Sequence, residues 1–204
     1  MSTIKVTNVS HPSAASPAIV LDADGDATYA GVHDFSAATV TGAPQGLVHI
    51  NTTTFSAVSS VSLNDVFTSD YQNYEIVLPF ESSSTGADMT LRLRAGGTDS
   101  TATNYYIQQL YILANNSPSG VYGNNAQYVF SGSGTTKYAG RITLYRPNEA
   151  VYTFANSFFW NQAPSLMFRG MEHQLATAYD GLTIYPSTGT ITGTIRVYGY
   201  SNGA

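Results

Sequence analysis

The chain has no cysteine, so a disulfide framework and a thiolate zinc site are both excluded. Charged residues make up only 10% of its 204 residues, well below the roughly 25% of an ordinary soluble domain. Its eight Lys and Arg are scattered and its net charge is −5, so it lacks the concentrated basic face that binding a nucleic-acid backbone requires. No apolar run approaches the roughly 18 residues of a membrane-spanning helix, which argues against membrane insertion. The polar start Met1-Ser2-Thr3-Ile4-Lys5 has no apolar segment of the kind that directs secretion. Synthesis and assembly in a cytoplasm are therefore expected. Lys and Glu, common fillers of helix surfaces, are scarce as well, which predicts little helix.

In their place stand 15 Tyr, 18 Gly and many Ser, Thr and Asn. Such a surface is solvated by hydroxyls and amides and suits pleated β-structure. With 43% hydrophobic residues, the chain is long enough for one domain with a proper core plus an appendage.

The appendage is expected over residues 1 to 45. Ile4-Lys5-Val6-Thr7-Asn8-Val9 alternates as a short strand, and His11-Pro12 and Ser16-Pro17 interrupt it. Ile19-Val20-Leu21 then runs into the turn Asp22-Ala23-Asp24-Gly25. From His33 to Gly42 the only large apolar side chains are Phe35 and Val40. A segment of this kind buries too little apolar surface to offset its own ordering entropy, so it orders by lying against another surface. Ile4, Val6, Ile19, Leu21, Phe35 and Val40 are the expected anchoring contacts.

From Gly46 onward the chain becomes a succession of short alternating runs divided by Gly, Asn and Ser turns. Leu47 to Ile50 and Thr54 to Val58 open it, and Val61 to Phe67 is expected to make one helical turn capped near Ser62 or Asn64. Tyr74 to Phe80 reads as a strand in which Pro79 marks an edge or a bulge. In Met89-Thr90-Leu91-Arg92-Leu93-Arg94, Met89, Leu91 and Leu93 share one face. Further runs lie at Tyr105 to Leu113, Gln127 to Phe130, Arg141 to Arg146, Tyr152 to Trp160, Leu166 to Leu175, Leu182 to Tyr185 and Thr194 to Tyr200. Eight to ten strands in residues 46 to 204 predict an all-β, antiparallel, jelly-roll-like sandwich behind an extended amino-terminal arm.

Several groups of residues invite a chemical reading. Asp22, Asp24 and Asp26 alternate around Gly25, but the spacing departs from a calcium loop, and a plain turn is the preferred reading over a metal site. His11, His33, His49 and His173 show no ligand spacing, and the neighbour of His173, Glu172, points to the opposite face of a strand. No Gly-x-Ser-x-Gly elbow occurs. Glu75, Glu81, Glu149, Glu172, Asp88, Asp99 and Asp180 are the carboxylates from which a glycan-cleaving pair would have to come, and no solenoid repeat accompanies them. No enzymatic activity and no cofactor are expected. Arg92 and Arg94 share a strand face that could meet acidic groups across a subunit boundary, although a solvated or cross-strand-paired face is the preferred reading. Tyr105, Tyr106 and Tyr122, assigned to loop segments, are the candidates for ligand contact. Phe154, Phe158, Phe159 and Trp160 are expected to serve core and interface packing.

The order Ile-Lys-Val-Thr-Asn, then Pro-Ala-Ile-Val-Leu-Asp-Ala-Asp-Gly, then Asp-Phe-Ser-Ala-Ala-Thr-Val-Thr-Gly resembles the amino-terminal segments of tailed-bacteriophage fibre, head-fibre and capsid-decoration proteins. The later Tyr-Glu-Ile-Val-Leu, Leu-Arg-Leu-Arg-Ala-Gly-Gly-Thr and Thr-Gly-Thr-Ile-Arg-Val-Tyr-Gly-Tyr resemble, more loosely, the jelly-roll knobs of such proteins. The resemblance implies a homotrimeric structural protein on the virion surface that docks on the major capsid protein or another virion protein. It also admits a tail-fibre tip that binds a host surface glycan. An arm of 45 residues reaches at most about 150 Å when fully extended, and no heptad shaft follows it, which favours the decoration role.

Overall fold

A computed structural model describes residues 8–9, 19–21, 27–29, 46–112, 118–131, 136–162 and 165–201. The chain divides into two compact units, residues 1–44 and 45–204. In the first, strands β1 (Asn8–Val9), β2 (Ile19–Leu21) and β3 (Ala27–Tyr29) pair antiparallel in the order β1-β2-β3. Ile19 lies opposite Val9 on one side and Tyr29 on the other, and Leu21 opposite Ala27. The described residues of this unit thus form a short meander. Ile4, Val6, Phe35, Val40, the Asp22, Asp24 and Asp26 turn, His11 and His33 lie outside the described residues.

The second unit is all-β, with no helix among its described residues. Its strands are β4 (Leu47–Val58), β5 (Val61–Leu63), β6 (Asn73–Val77), β7 (Phe80–Ser82), β8 (Met89–Ala95), β9 (Thr98–Asp99) and β10 (Tyr105–Ile112). They continue with β11 (Pro118–Asn125), β12 (Tyr128–Ser131), β13 (Lys137–Tyr145), β14 (Thr153–Asn161), β15 (Ser165–His173), β16 (Gly181–Pro186) and β17 (Ile191–Tyr200). A nine-stranded antiparallel sheet runs β11-β10-β15-β14-β13-β6-β17-β4, with β7 bridging β13 and β17. A five-stranded sheet runs β12-β8-β16-β5, with β9 on β8. Four of the pairings are nested in sequence: β6 with β17, β8 with β16, β10 with β15 and β13 with β14.

One continuous core lies between the two sheets. Met89, Leu91 and Leu93 are all fully buried, as their alternation predicts. Tyr128 of the small sheet reaches across, its hydroxyl lying 2.8 Å from Ser157 Oγ and 3.0 Å from the carbonyl oxygen of Arg169, within hydrogen-bond reach of both. Tyr105 crosses in the other direction, its hydroxyl accepting from Leu93 N at 3.0 Å. Phe130 and Phe159 pack with ring centroids 5.1 Å apart. Pro79 separates β6 from β7, and its carbonyl accepts from Thr194 N at 3.2 Å. Both strands lie between β13 and β17, so Pro79 marks an irregularity inside the sheet and not the edge that was the other expectation. Gly181 admits no side chain, because a Cβ there would lie 2.1 Å from the carbonyl oxygen of Leu63.

The helical turn expected between Val61 and Phe67 does not form. Val61–Leu63 is a strand, and the amides of Val66 and Phe67 donate instead to the carbonyl of Asp180, at 2.9 and 3.0 Å. Burial of both side chains against the core outweighs local propensity there.

A candidate interaction face on the large sheet

Strand β14 alternates strictly between buried and exposed residues. Thr153, Ala155, Ser157, Phe159 and Asn161 point into the core, whereas Phe154, Asn156, Phe158 and Trp160 point out. The aromatic run therefore splits: Phe159 is core, and its three companions decorate the outer face. Trp160 is 52% exposed.

Register extends this outer surface into a patch. Ile112, Leu166 and Trp160 stand opposite one another across β10, β15 and β14, and the adjacent row is Leu110, Phe168 and Phe158, ending at Arg141 on β13. Residues opposite one another in such rows hold their Cβ atoms about 5 Å apart, so the two rows form one continuous apolar surface. The Phe158 and Phe168 rings meet edge to face, with centroids 4.9 Å apart. A depression of about 670 Å³ lies over this patch, rimmed by Gln108, Asn156 and Arg141.

A second depression of about 460 Å³ shares Arg141 and Asn156 with the first and is otherwise polar, lined by Asn73, Thr143, Tyr145 and Tyr200. Beneath it lies the buried carboxylate of Glu75. Thr143 and Tyr200 donate to Glu75 Oε2 at 2.7 and 3.2 Å, and Arg141 Nε stands 3.5 Å from Oε1. Burial and the neighbouring Glu75 charge raise the Tyr200 hydroxyl above its ordinary pKa. Asn156 Nδ2 donates to the Tyr145 hydroxyl at 2.8 Å. The outer face thus joins an apolar half to a hydrogen-bonding half. Its apolar half is continuous, and aromatic side chains with depleted charge are the composition of an interface core.

The other candidate residues are distributed elsewhere. Tyr105 is fully buried on β10, not in a loop, and burial raises its hydroxyl well above the ordinary range; it braces the core and touches no ligand surface. Tyr106 and Tyr122 also lie on strands and not in loops, at outward positions of β10 and β11, and Tyr122 is opposite Gln108 at the edge of the same face.

Arg92 and Arg94 share a face of β8 and are occupied within the chain. Arg92 Nε donates to the carbonyl of Ala126 and Nη2 to Gln127 Oε1, both at 3.2 Å, and its guanidinium stacks over Tyr185. Arg94 is ion-paired with Asp99 and donates to Asn64 Oδ1 at 2.9 Å and to Thr183 Oγ1 at 2.8 Å. The solvated-or-paired alternative resolves to pairing inside the domain.

Most of the carboxylates are likewise engaged. Glu81 pairs with Lys137, Glu149 with Arg146 and Gln72, Glu172 with Gln174, and Asp180 Oδ2 accepts from Gly96 N. His173 is fully buried and points away from its neighbour Glu172, as the strand alternation predicts. Its Nε2 lies 2.6 Å from the Tyr179 hydroxyl, and desolvation holds its pKa down to about 4. Among the described residues no group of three acidic, His or Cys side chains is placed to hold a metal.

No protein-family model matches this sequence, and a search of curated proteins finds no match either.

Proposed function

We propose that the chain is a non-enzymatic structural protein of a tailed-phage virion. In this reading it is a capsid decoration protein of the cement or head-fibre kind, assembled as a homotrimer in the host cytoplasm. Residues 1–44 attach it to the major capsid protein or another virion protein, and residues 45–204 form the displayed domain. The observation that carries this reading is the outer face of the large sheet: a continuous apolar patch on a domain whose own core is complete is a surface made for assembly. Closed symmetric association is the usual way to cover such a patch. The nested strand pairs support a jelly-roll derivative, in which the β13–β14 pair joins the large sheet.

Quantitative mass spectrometry of purified particles tests the proposal. Hundreds of copies per particle are expected, and absence of the protein from particles would overturn it. A deletion of residues 1–44 should keep the β-sheet circular dichroism signal and lose incorporation. A second reading, a tail-fibre tip that recognises a host surface glycan, is favoured by the hydrogen-bonding half of the outer face around Arg141, Asn156 and Tyr200. A few dozen copies at the tail would select it.

A further inference from the structure

At one end of the sandwich the large sheet extends past the small one, because β12 is the edge of the small sheet while β10 and β11 continue the large one. Ile107 and Gln109 of β10, Gly123 and Asn125 of β11, and Arg169 of β15 wall a cavity of about 180 Å³ beneath this overhang; Val129 and Asp88 close it from the other side. That volume holds about six water molecules at liquid density.

Arg169 is only 7% exposed. Its Nη1 donates to the carbonyl of Val129 at 2.9 Å, and its Nε, itself closed to solvent, has no partner among the described residues. A buried guanidinium normally faces an anion, because an unpaired charge out of water is costly. None of the ion pairs among the described residues includes Arg169. Burial accordingly pushes its pKa below the ordinary guanidinium value, with the charge of Asp88 acting in the opposite direction. Among the described residues of the cavity wall Asp88 is the one acidic side chain, and it is not in ion-pair contact with Arg169.

We propose that this cavity binds a small carboxylate, held by the guanidinium of Arg169 with the amides of Gln109 and Asn125 as additional donors. A guanidinium edge and a carboxylate are geometrically matched, and hydrogen bonds between them are charge-assisted. Asp88 faces the same space with a like charge and weakens binding.

Thermal unfolding of the full chain at pH 7 in acetate, against chloride at equal ionic strength, tests the site. The native chain is expected to show a saturable rise in Tm with acetate, as a ligand bound by the folded state alone requires. Asp88→Asn should lower the half-saturating acetate concentration several-fold, and Arg169→Met, which keeps the bulk and removes the charge, should abolish the response. An Asp88→Asn titration that coincides with the native one overturns the proposal whether or not Arg169→Met folds. So does a saturable response that survives in a folded Arg169→Met, or the lack of any saturable response in the native chain.

Discussion

Adjacent phenylalanines on the two faces of β14 meet opposite fates. Phe159, on the inner face, is fully buried against Phe80 and Phe130. Phe158, one residue earlier, points outward and meets only Phe168 edge on among ring partners in the described residues. Hydrophobicity alone does not say which side is core. The opposing sheet covers one face of β14, and the other face keeps an apolar surface that folding of the domain does not use. Stability therefore resides on the inner face, and the proposed assembly role falls to the outer one.

Substitutions at paired positions should separate these roles. The largest effect is expected for Phe159→Ala, which removes a fully buried ring from an aromatic cluster and should cost about 3–5 kcal/mol in urea-induced unfolding. Gly181→Ala comes next, at about 1–3 kcal/mol, since its new methyl meets the Leu63 backbone, which has no flexible end to move aside.

His173 gives a smaller, pH-dependent effect. Its folded pKa is depressed to about 4, so between pH 6.5 and pH 4 the unfolded chain binds a proton that the folded chain does not. Its contribution is fully present above pH 6.5 and is lost as pH falls through that window. Tm should drop by about 3–6 °C between pH 7 and pH 5, and His173→Gln should flatten this slope. The smallest effect is expected on the outer face. Trp160→Ser should change the unfolding free energy of the monomeric domain by no more than about 0.5 kcal/mol. A large loss there would erase the distinction between the two faces.

Much of the inner face was readable from the residues. The alternation of Met89, Leu91 and Leu93 predicts their burial, and Pro79 predicts the interruption between β6 and β7. Strand β11 was not readable, because Pro118-Ser-Gly-Val-Tyr-Gly-Asn-Asn has the composition of a turn and becomes a strand by pairing along the whole of β10. Period-2 alternation does place Phe158 and Phe159 on opposite faces, yet it cannot tell which face a second sheet will cover. Tyr105 and Tyr106 illustrate the same limit: adjacent and chemically identical, one braces the core and the other belongs to the outer surface. Arg169 gave no sign of burial, since a single Arg in an apolar run reads as an outward residue. Its inward orientation follows from the register of β15 with β10 and β14.

Whether the outer face of the large sheet is an assembly surface can be read from the mass of the full chain in solution. Light scattering coupled to size exclusion at micromolar concentration should give about three times the 21.8 kDa chain mass. The double substitution Phe158→Ser, Phe168→Ser should return it to a folded monomer. A native chain that runs as a monomer at that concentration, or an oligomer that the double substitution leaves intact, would contradict the assembly role.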